Sequence, residues 1–415
     1  MPNSIYMKVK YEKLLLILLI AGELTGCTAK PQRDIPNHIK SLKNLKAYSA
    51  DAKPAYTFKP ERAVIYRDTS NVLLGARIGE VEVDDKRRVY ILDSDQLKVH
   101  IFNHDGTFLT SVGRQGQGPG EFQYIGDIQV YHRNLYVLDP LQHKISVFGQ
   151  GTFKHVKDLN ISLKESDGPP TWIDSMRKNK QNYLPNNFFV RPDGRFYVIF
   201  SDNGVSTAVN IPGRTYEFSL YSIGEEKYIR HDMRSFRWTG GVLIHETKNR
   251  AMVFFQVPYK RTSQFDYSNG QLVYGWTEDF LFKFYDESGT YQHAFYYPFP
   301  RIKLKLEQVF AYYGKNINHK TKDAFRSDTL PATWPAFHSM KTDDQGRLWV
   351  SKFTSNPARY EWLVMNTQGK LLARFTWPRE RELKELKNGY AYTLEKDEQT
   401  GSQKVVRYLI EMEEN

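Results

Sequence analysis

An internal repeat is the feature that most constrains the fold of this chain. Residues 78–108 and 125–153 align with a deletion of only two residues, since the two copies begin 47 positions apart and end 45 apart. The matched pairs are Ile78 with Ile125, Tyr90 with Tyr136, Leu92-Asp93 with Leu138-Asp139, Gln96 with Gln142, Lys98 with Lys144 and Phe108 with Phe153. Self-similarity at such a period is the signature of a fold built from stacked structural units.

Each copy is predicted to contain four short strands. In the first copy, Val81 and Val83 alternate with acidic residues, which predicts a half-buried strand, and Val89 begins a continuous apolar run typical of a strand covered on both faces. Short polar turns separate the strands, so neighbouring strands must be antiparallel. Because a four-stranded unit cannot cover its own faces, several units must be arranged around an axis. The sequence therefore predicts an all-β propeller.

Weaker copies of the pattern continue to the end of the chain. They predict six units of four antiparallel strands, beginning near residues 79, 125, 186, 250, 338 and 380. The last unit shows only three strands, and an unassigned strand-like segment, Ala63–Tyr66, precedes the first unit. We expect this N-terminal strand to complete the sixth blade, which removes an exposed edge. Leu304–Tyr313 has helical spacing and is predicted to lie across one face between the fourth and fifth blades.

The N-terminus has the pattern of an export signal. Three lysines precede the apolar run from Leu14 to Ala21, which is far shorter than the roughly 20 residues that a membrane-spanning helix needs. The run is followed by Leu24-Thr25-Gly26-Cys27, which resembles a bacterial lipobox. That resemblance implies cleavage before Cys27 and acylation of this cysteine, for example with palmitate. The predicted organisation is a signal peptide over 1–26, a lipidated cysteine with a flexible tether over 27–60, and a propeller over 61–412.

Cysteine and charge content support this interpretation. Cys27 is the only cysteine, so it forms no disulfide within the chain. Two or three acyl chains anchor a protein stably, whereas a single chain is marginal. The formal charge is +11, but the basic residues are scattered, which favours a solvated basic surface over a nucleic-acid site. We therefore expect a cell-envelope lipoprotein, facing the periplasm or the surface, with no nucleic-acid partner.

Two motifs resemble a known family. The strand and turn series ending in Asp-x-Gly, together with the segment Gly116–Phe122, is similar to the NHL-repeat and TolB-like propellers, and more closely to the six-bladed propeller lipoproteins of Bacteroidetes. The lipobox, the predicted helix before the fifth blade and residues 343–350 also suit that family. The resemblance covers roughly residues 60–412 and implies architecture more than activity. Two long insertions, Ser166–Pro185 and Gly213–Gln256, depart from it.

Motifs for catalysis or cofactor binding are not found in the sequence. Gly116–Gly120 lacks the Gly-Lys-Ser/Thr ending of a phosphate-binding loop and is predicted to be a turn between blades. Asp93 and Asp139 recur at equivalent positions before tight turns, which favours a structural role. Eleven histidines are spread singly without metal-ligand spacing, so no metal or cofactor is predicted. His338 is the histidine most expected to point into the propeller channel.

Aromatic and basic residues in the loops are the remaining candidates for a binding site. Exposed Trp, Tyr and Arg side chains are common interface anchors, and propellers bind ligands where their loops gather. The predicted ligand-binding residues are Tyr259, Arg261, Trp276, His338, Arg359 and Tyr360. They favour a binding or scaffold module for a protein, peptide or glycan, with no catalytic residue assigned. The alternative is a lactonase-like hydrolase or a lyase with a metal in the channel. Clustered His, Asp or Glu side chains in the channel would favour the enzyme, and apolar or aromatic ones the binding module.

Overall fold

The computed structural model describes residues 35–161, 183–202, 214–222, 227–238, 241–246, 251–314, 317–397 and 400–414. Cys27 and the predicted signal peptide lie outside these residues. The described part consists mainly of β-strands arranged as six blades around a central channel, and the last two blades join into one eight-stranded sheet. None of its helices is long and apolar enough to cross a membrane.

The first three blades follow one another along the chain, each with its strands in sequential order. Blade 1 contains β3 (Ile78–Val83), β4 (Val89–Asp93), β5 (Lys98–Phe102) and β6 (Phe108–Val112). Blade 2 contains β7 (Asp127–Tyr131), β8 (Asn134–Asp139), β9 (Lys144–Gly149) and β10 (His155–Asn160). Blade 3 contains β11 (Tyr183–Val190), β12 (Phe196–Asp202), β13 (Arg214–Ser222) and β14 (Lys227–Trp238).

The fourth and fifth blades are separated by two helices. A hairpin of β15 (Gly241–Glu246) and β16 (Ala251–Gln256) precedes blade 4, which contains β17 (Ser263–Ser268), β18 (Gln271–Trp276), β19 (Leu281–Tyr285) and β20 (Tyr291–Tyr296). The helices α2 (Leu306–Tyr313) and α3 (His319–Ser327) follow. Blade 5 contains β21 (Ser339–Thr342), β22 (Leu348–Phe353), β23 (Arg359–Met365) and β24 (Leu371–Pro378). The predicted helix over Leu304–Tyr313 is therefore confirmed.

The sixth blade joins the two ends of the chain. It contains β25 (Glu382–Lys387), β26 (Tyr390–Lys396), β27 (Gln403–Glu414) and the N-terminal β2 (Tyr56–Tyr66). The strands β2 and β27 pair in antiparallel fashion from Tyr56 opposite Glu414 to Tyr66 opposite Val405. The N-terminal strand thus completes the blade, as predicted, because the third strand of this unit would otherwise present an unpaired outer edge.

The hydrophobic core lies between neighbouring blades. Separate clusters of buried side chains join each blade to the next around the ring. At the closure between blades 6 and 1, for example, Tyr392 and Val405 pack with Val83 and Val89. Each sheet is therefore covered on both faces, which explains the continuous apolar runs of the second strands.

The structure corrects two boundaries within the insertions. The fourth unit was expected to begin near residue 250, but its first strand begins at Ser263 because β15 and β16 form an extra hairpin. The segment Gly213–Gln256 was predicted to be one insertion, yet β13 and β14 are the third and fourth strands of blade 3. These long strands lack the Asp-x-Gly turn, so they were not recognised as part of the repeat. The predicted insertion Ser166–Pro185 lies largely outside the described residues.

The predicted flexible tether is wrong for residues 35–60. This segment forms the short helix α1 (Asn37–Lys40), the strand β1 (Leu45–Ala47) and the first part of β2. Ile39 is fully buried and contacts Leu281, Ala294 and Tyr296 of blade 4. The segment looks polar because its apolar residues occur singly rather than in runs, but Ile35, Ile39, Leu42 and Leu45 lie against the same blade.

Candidate functional site

A cavity with a volume of about 820 Å³ occupies the central channel. It is lined by the first strands of all six blades. Turns joining first to second strands also line it, among them Asn269-Gly270 in blade 4 and Asp343-Asp344 in blade 5. We call the face that carries these turns the turn face. Successive strands are antiparallel, so the turns joining second to third strands lie on the opposite face, here called the connection face.

Eight carboxylates and two lysines line this channel. The residues are Glu80, Glu82, Asp127, Asp266, Glu287, Asp343, Asp344, Glu385, Lys341 and Lys387. Side chains on a strand alternate between its two sides, so residues two apart, such as Glu80 and Glu82, project in the same direction. In the repeat alignment, Glu80 and Glu82 correspond to Asp127 and Gln129, which line the same cavity. The channel is therefore polar and acidic.

Some of these polar side chains hydrogen-bond to the next blade. The Phe188 N–H donates to Asp127 Oδ2 at 3.2 Å, and the Val190 N–H donates to Gln129 Oε1 at 2.9 Å. The Thr342 N–H donates to Asp266 Oδ2 at 2.5 Å. The first strand of each blade has one unpaired edge, and its N–H groups need acceptors where they are buried. These side chains provide them and thereby join blade 2 to blade 3 and blade 4 to blade 5.

Burial changes the proton affinity of the channel carboxylates. Burial, with the nearby charge of Glu80, raises the pKa of Asp127 to about 8. Burial also raises the pKa of Glu82 well above its usual value, and the negative charge of Glu385 adds to this shift. The pKa of Glu385 is raised by burial although Lys341 and Lys387 oppose the shift. A carboxylic acid in such surroundings can hold a proton near neutral pH and donate a hydrogen bond.

Lys341 is the cation at the centre of this arrangement. Burial alone would lower the pKa of its ammonium group, but the charges of Glu80, Glu385, Asp266 and Glu82 outweigh that effect and raise it. Its Nζ lies 3.9 Å from a carboxylate oxygen of Glu80, at the outer limit of an ion pair. The channel thus offers charged donors as well as acceptors. Within the described ranges, no group of three or more His, Cys, Asp and Glu side chains is arranged to hold a metal ion.

A second cavity brings together two of the residues predicted from the sequence. This cavity, of about 340 Å³, lies near the start of β17 and is lined by Arg261 and His338, with Tyr312 and Tyr313 of α2. His338 was expected to point into the channel, but it lines this smaller cavity instead. Its ring stacks on Tyr360 at 4.7 Å between centroids. Burial, assisted by the charge of Arg379, lowers the pKa of His338 to about 4, so the imidazole is neutral at physiological pH.

The other predicted residues are divided among three places. The Tyr259 hydroxyl donates to Asp328 at 2.9 Å beneath the helices, and this tyrosine is fully buried. Trp276 is the last residue of β18 and pairs with Ser263. Arg359 and Tyr360 line a third cavity of about 290 Å³, and Arg359 donates to the Thr376 carbonyl. The structure therefore does not unite the predicted residues in one site.

Two roles inferred from the sequence are visible in the hydrogen bonds. Asp93 accepts from the backbone of Gly75, Asp95 and Gln96, as expected of a turn-forming aspartate. Asp139 accepts equivalent bonds, including those from Leu141 and Gln142. The glycine segment is a turn between blades, in which the Gly118 N–H donates to Glu121.

The channel carboxylates were missed as candidates, although the sequence contained a signal for them. Glu80 and Glu82 alternate with valines in a strand that becomes the innermost of its blade, and Asp127 recurs at the position equivalent to Glu80. An acidic residue repeated on an otherwise apolar strand indicates a polar lining. The cavity-lining residues of β17, β21 and β25 could not be recognised in this way, because only closure of the ring brings these strands to the same cavity.

Comparison with known proteins agrees with this architecture. Residues 61–210 match a family model described as a 6-bladed beta-propeller. A solved structure of a DUF4221-family member from Bacteroides vulgatus superposes with a TM-score of 0.51 at 10% identity, covering 87% of this chain and 100% of that one. The chain is a six-bladed β-propeller. The resemblance to six-bladed propellers noted from the sequence is thus confirmed.

Other solved structures superpose on this chain over most of their length, with lower TM-scores. A protein of Bacteroides fragilis named as exported has a TM-score of 0.49 and 11% identity, covering 88% of this chain and 99% of that one. A virginiamycin B lyase from Staphylococcus aureus has a TM-score of 0.39 and 10% identity, covering 85% and 99%. Similarity at this level carries no functional argument. No curated protein matches the sequence.

Proposed function

We propose that this propeller is an exported, lipid-anchored binding protein of the cell envelope whose central channel receives a glycan. The lipobox ending at the single cysteine, Cys27, supports export and anchoring. The channel supports a ligand site, because its volume of about 820 Å³ lies within the range of known small-ligand pockets.

The mixture of charges in the channel favours a glycan over a cationic peptide. Carboxylates accept hydrogen bonds from sugar hydroxyls, while Lys341 and Lys387 donate to the same kind of group. A site for a cationic peptide would gain nothing from two lysines at its centre. The cavity also contains the rings of Tyr131, Phe189 and Phe265, which offer flat apolar surfaces to a sugar ring. The single observation that carries this proposal is the combination of acceptors, donors and aromatic rings in one cavity.

Glu385→Gln tests this proposal directly. Loss of a hydrogen bond to a charged group costs about 1.5–3 kcal/mol, so we expect affinity for the best oligosaccharide to fall roughly 10- to 150-fold. The full-length protein in detergent is applied to an array of neutral and amine-bearing oligosaccharides, and the strongest hit is measured by calorimetry. Glu380→Gln is the matched control, because Glu380 is exposed between β24 and β25. No hit on the array, or equal affinities for the two variants, would refute a glycan site in the channel.

The paired carboxylates also favour a second candidate function, that of an acid–base hydrolase or lyase. Glu82 and Glu385 repel each other, and both have raised pKa values, so one can hold a proton while the other is charged. Such a pair can divide the roles of general acid and general base. Product formation from a bound oligosaccharide, abolished by Glu82→Gln and insensitive to EDTA, would establish this function. Loss of the activity with EDTA would instead support the metal-dependent alternative.

A further inference from the structure

The second cavity adjoins the channel where β17 begins. We call this cavity, of about 340 Å³, the side cavity. Thr262 and Gln264 line both the side cavity and the channel. Thr262 immediately precedes β17, and the first strand of each blade runs from the connection face to the turn face. The side cavity therefore meets the channel near the connection face, at the opposite end of β17 from the Asn269-Gly270 turn.

The side cavity continues the channel along the gap between blades 4 and 5. Gln264 and Asp266 are two positions apart on β17, so their side chains project to the same side of the strand. Asp266 accepts a hydrogen bond from the Thr342 N–H of β21, which places that side toward blade 5. His338 directly precedes β21 and lines the side cavity. A ligand in the channel could therefore extend between β17 and β21 into the side cavity.

The side cavity differs from the channel in its chemistry. Among the described residues, no carboxylate lines the side cavity, whereas eight line the channel. The imidazole of His338 is uncharged at physiological pH, because burial lowers its pKa to about 4. Apolar and aromatic residues account for much of the remaining wall. They are Val257, Pro258, Tyr312, Tyr313, Pro335 and Phe337.

The two cations that line the side cavity already have partners within the protein. Lys260 Nζ donates to Asp328 Oδ1 at 2.8 Å. Arg261 forms an ion pair with Glu278 and donates to the Thr333 carbonyl at 2.9 Å. Neither cation therefore needs an anionic group of a ligand to balance its charge. The side cavity thus favours an uncharged, apolar occupant.

The volume of the side cavity suits an aromatic ring or a short alkyl chain. An apolar cavity of about 150 Å³ is large enough to bind benzene, and the side cavity is larger than this. A sugar ring would bring several hydroxyl groups into surroundings with few uncommitted partners, and burying a hydroxyl without a hydrogen bond is unfavourable. The sugar is therefore better accommodated in the channel, and an apolar substituent in the side cavity.

We propose that the ligand is a glycoside whose sugar occupies the channel and whose apolar aglycone occupies the side cavity. This inference rests on the proposed glycan-binding function and specifies the class of glycan. Burial of the aglycone adds affinity that a free oligosaccharide lacks, because apolar surface is removed from water. The protein therefore distinguishes glycosides from free sugars of the same composition.

Matched glycosides of a single sugar test this inference. The methyl, butyl and phenyl glycosides of the best-binding sugar are titrated by calorimetry into the full-length protein, in a detergent without a sugar headgroup. Full burial of an apolar group the size of a phenyl ring raises affinity by a factor of about 10 to 150. We therefore expect the butyl and phenyl glycosides to bind at least about tenfold more tightly than the methyl glycoside. Equal affinities for the three would overturn the inference and leave the glycan-binding function intact.

Two phenylalanine substitutions locate the aglycone. Pro258 is partly exposed and lines the side cavity, so Pro258→Phe should fill part of it and remove most of the preference for the phenyl glycoside. Pro357→Phe is the matched control, because Pro357 lines the third cavity and should leave the preference unchanged. Retained binding of the methyl glycoside shows that each variant is folded. A preference that survives Pro258→Phe, or that is lost with Pro357→Phe, would place the aglycone outside the side cavity and overturn the inference.

A channel variant connects the two parts of the ligand. Glu385 lines the channel and is absent from the lining of the side cavity, so Glu385→Gln should weaken the methyl and phenyl glycosides by the same factor. Unchanged affinity for the phenyl glycoside would show that this ligand binds outside the channel, which would overturn the inference. If no sugar binds to the protein at all, the proposed glycan-binding function is refuted, and this inference with it.

Discussion

The aspartate that begins the β3–β4 turn offers the sharpest test of how these blades are stabilised. Asp84 is almost completely buried and accepts four hydrogen bonds. The donors are the Lys86 N–H at 2.9 Å, the Arg88 N–H at 2.9 Å, the Arg88 Nε at 2.6 Å and the Tyr90 hydroxyl at 3.0 Å. One carboxylate thus closes the turn, pairs with an arginine and satisfies a buried tyrosine.

Removal of this carboxylate leaves all four donors without their acceptor. Breaking a buried ion pair by deleting one partner costs about 3–5 kcal/mol, because the remaining charge is left uncompensated. We therefore expect Asp84→Ala to lower the free energy of unfolding by about this amount. Arg88 is partly exposed, so water can reach its guanidinium group. We therefore expect the loss of unfolding free energy to lie near the lower end of this range. Asp84→Asn retains an acceptor and should cost less.

Urea unfolding followed by tryptophan fluorescence measures this change. The expected result is a lower midpoint with an unchanged dependence on urea concentration, which indicates a change in stability rather than in compactness. Asp85→Ala is the matched control, because Asp85 is the exposed neighbour in the same turn. If Asp84→Ala lowers the free energy of unfolding by less than about 1 kcal/mol, or if both variants lower it equally, the buried network does not stabilise the blade.

Three further predictions concern the anchor, the ring closure and the channel. Cys27→Ser should release the protein from the membrane fraction or leave the signal uncleaved, as measured by cell fractionation. A variant that is processed normally and stays in the membrane fraction would contradict the lipobox interpretation. Deleting residues 61–68 removes five of the ten residues of β2 that pair with β27, so we expect aggregation or non-cooperative melting, and a truncated protein that melts like the parent would rule this closure out. The raised pKa of Asp127 means that the folded state binds a proton more tightly than the unfolded state, so this group reduces stability as pH rises from about 4 to 8. Relative to the parent, Asp127→Asn should therefore gain stability over that interval in pH-dependent unfolding, and parallel pH profiles would contradict the shift.

The repeated turns were predictable because their structure is local. Asp84 and Asp343 each accept bonds from an arginine four residues later, and an aromatic side chain two residues beyond donates to the same carboxylate. These contacts require only neighbouring positions on a hairpin, so the residue pattern that encodes them is visible in the sequence. The closure by β2 was predictable for a related reason, since a three-stranded last unit leaves an edge that needs a partner.

The sequence by itself therefore determined the strand periodicity, the four-stranded unit, the number of blades and the way in which the ring closes. Only the tertiary structure decided which side chains share a cavity. Glu80 and Glu385 come from opposite ends of the domain and meet because the ring brings the first strand of every blade to the same axis. His338 lines a separate cavity beside α2, and residues 35–53 dock on blade 4 through apolar side chains too widely spaced to form a recognisable pattern. Local patterns encode hairpins, because their partners are close in sequence. The channel and the docking of residues 35–53 depend on contacts between distant segments, whose positions are determined only when all six blades pack together.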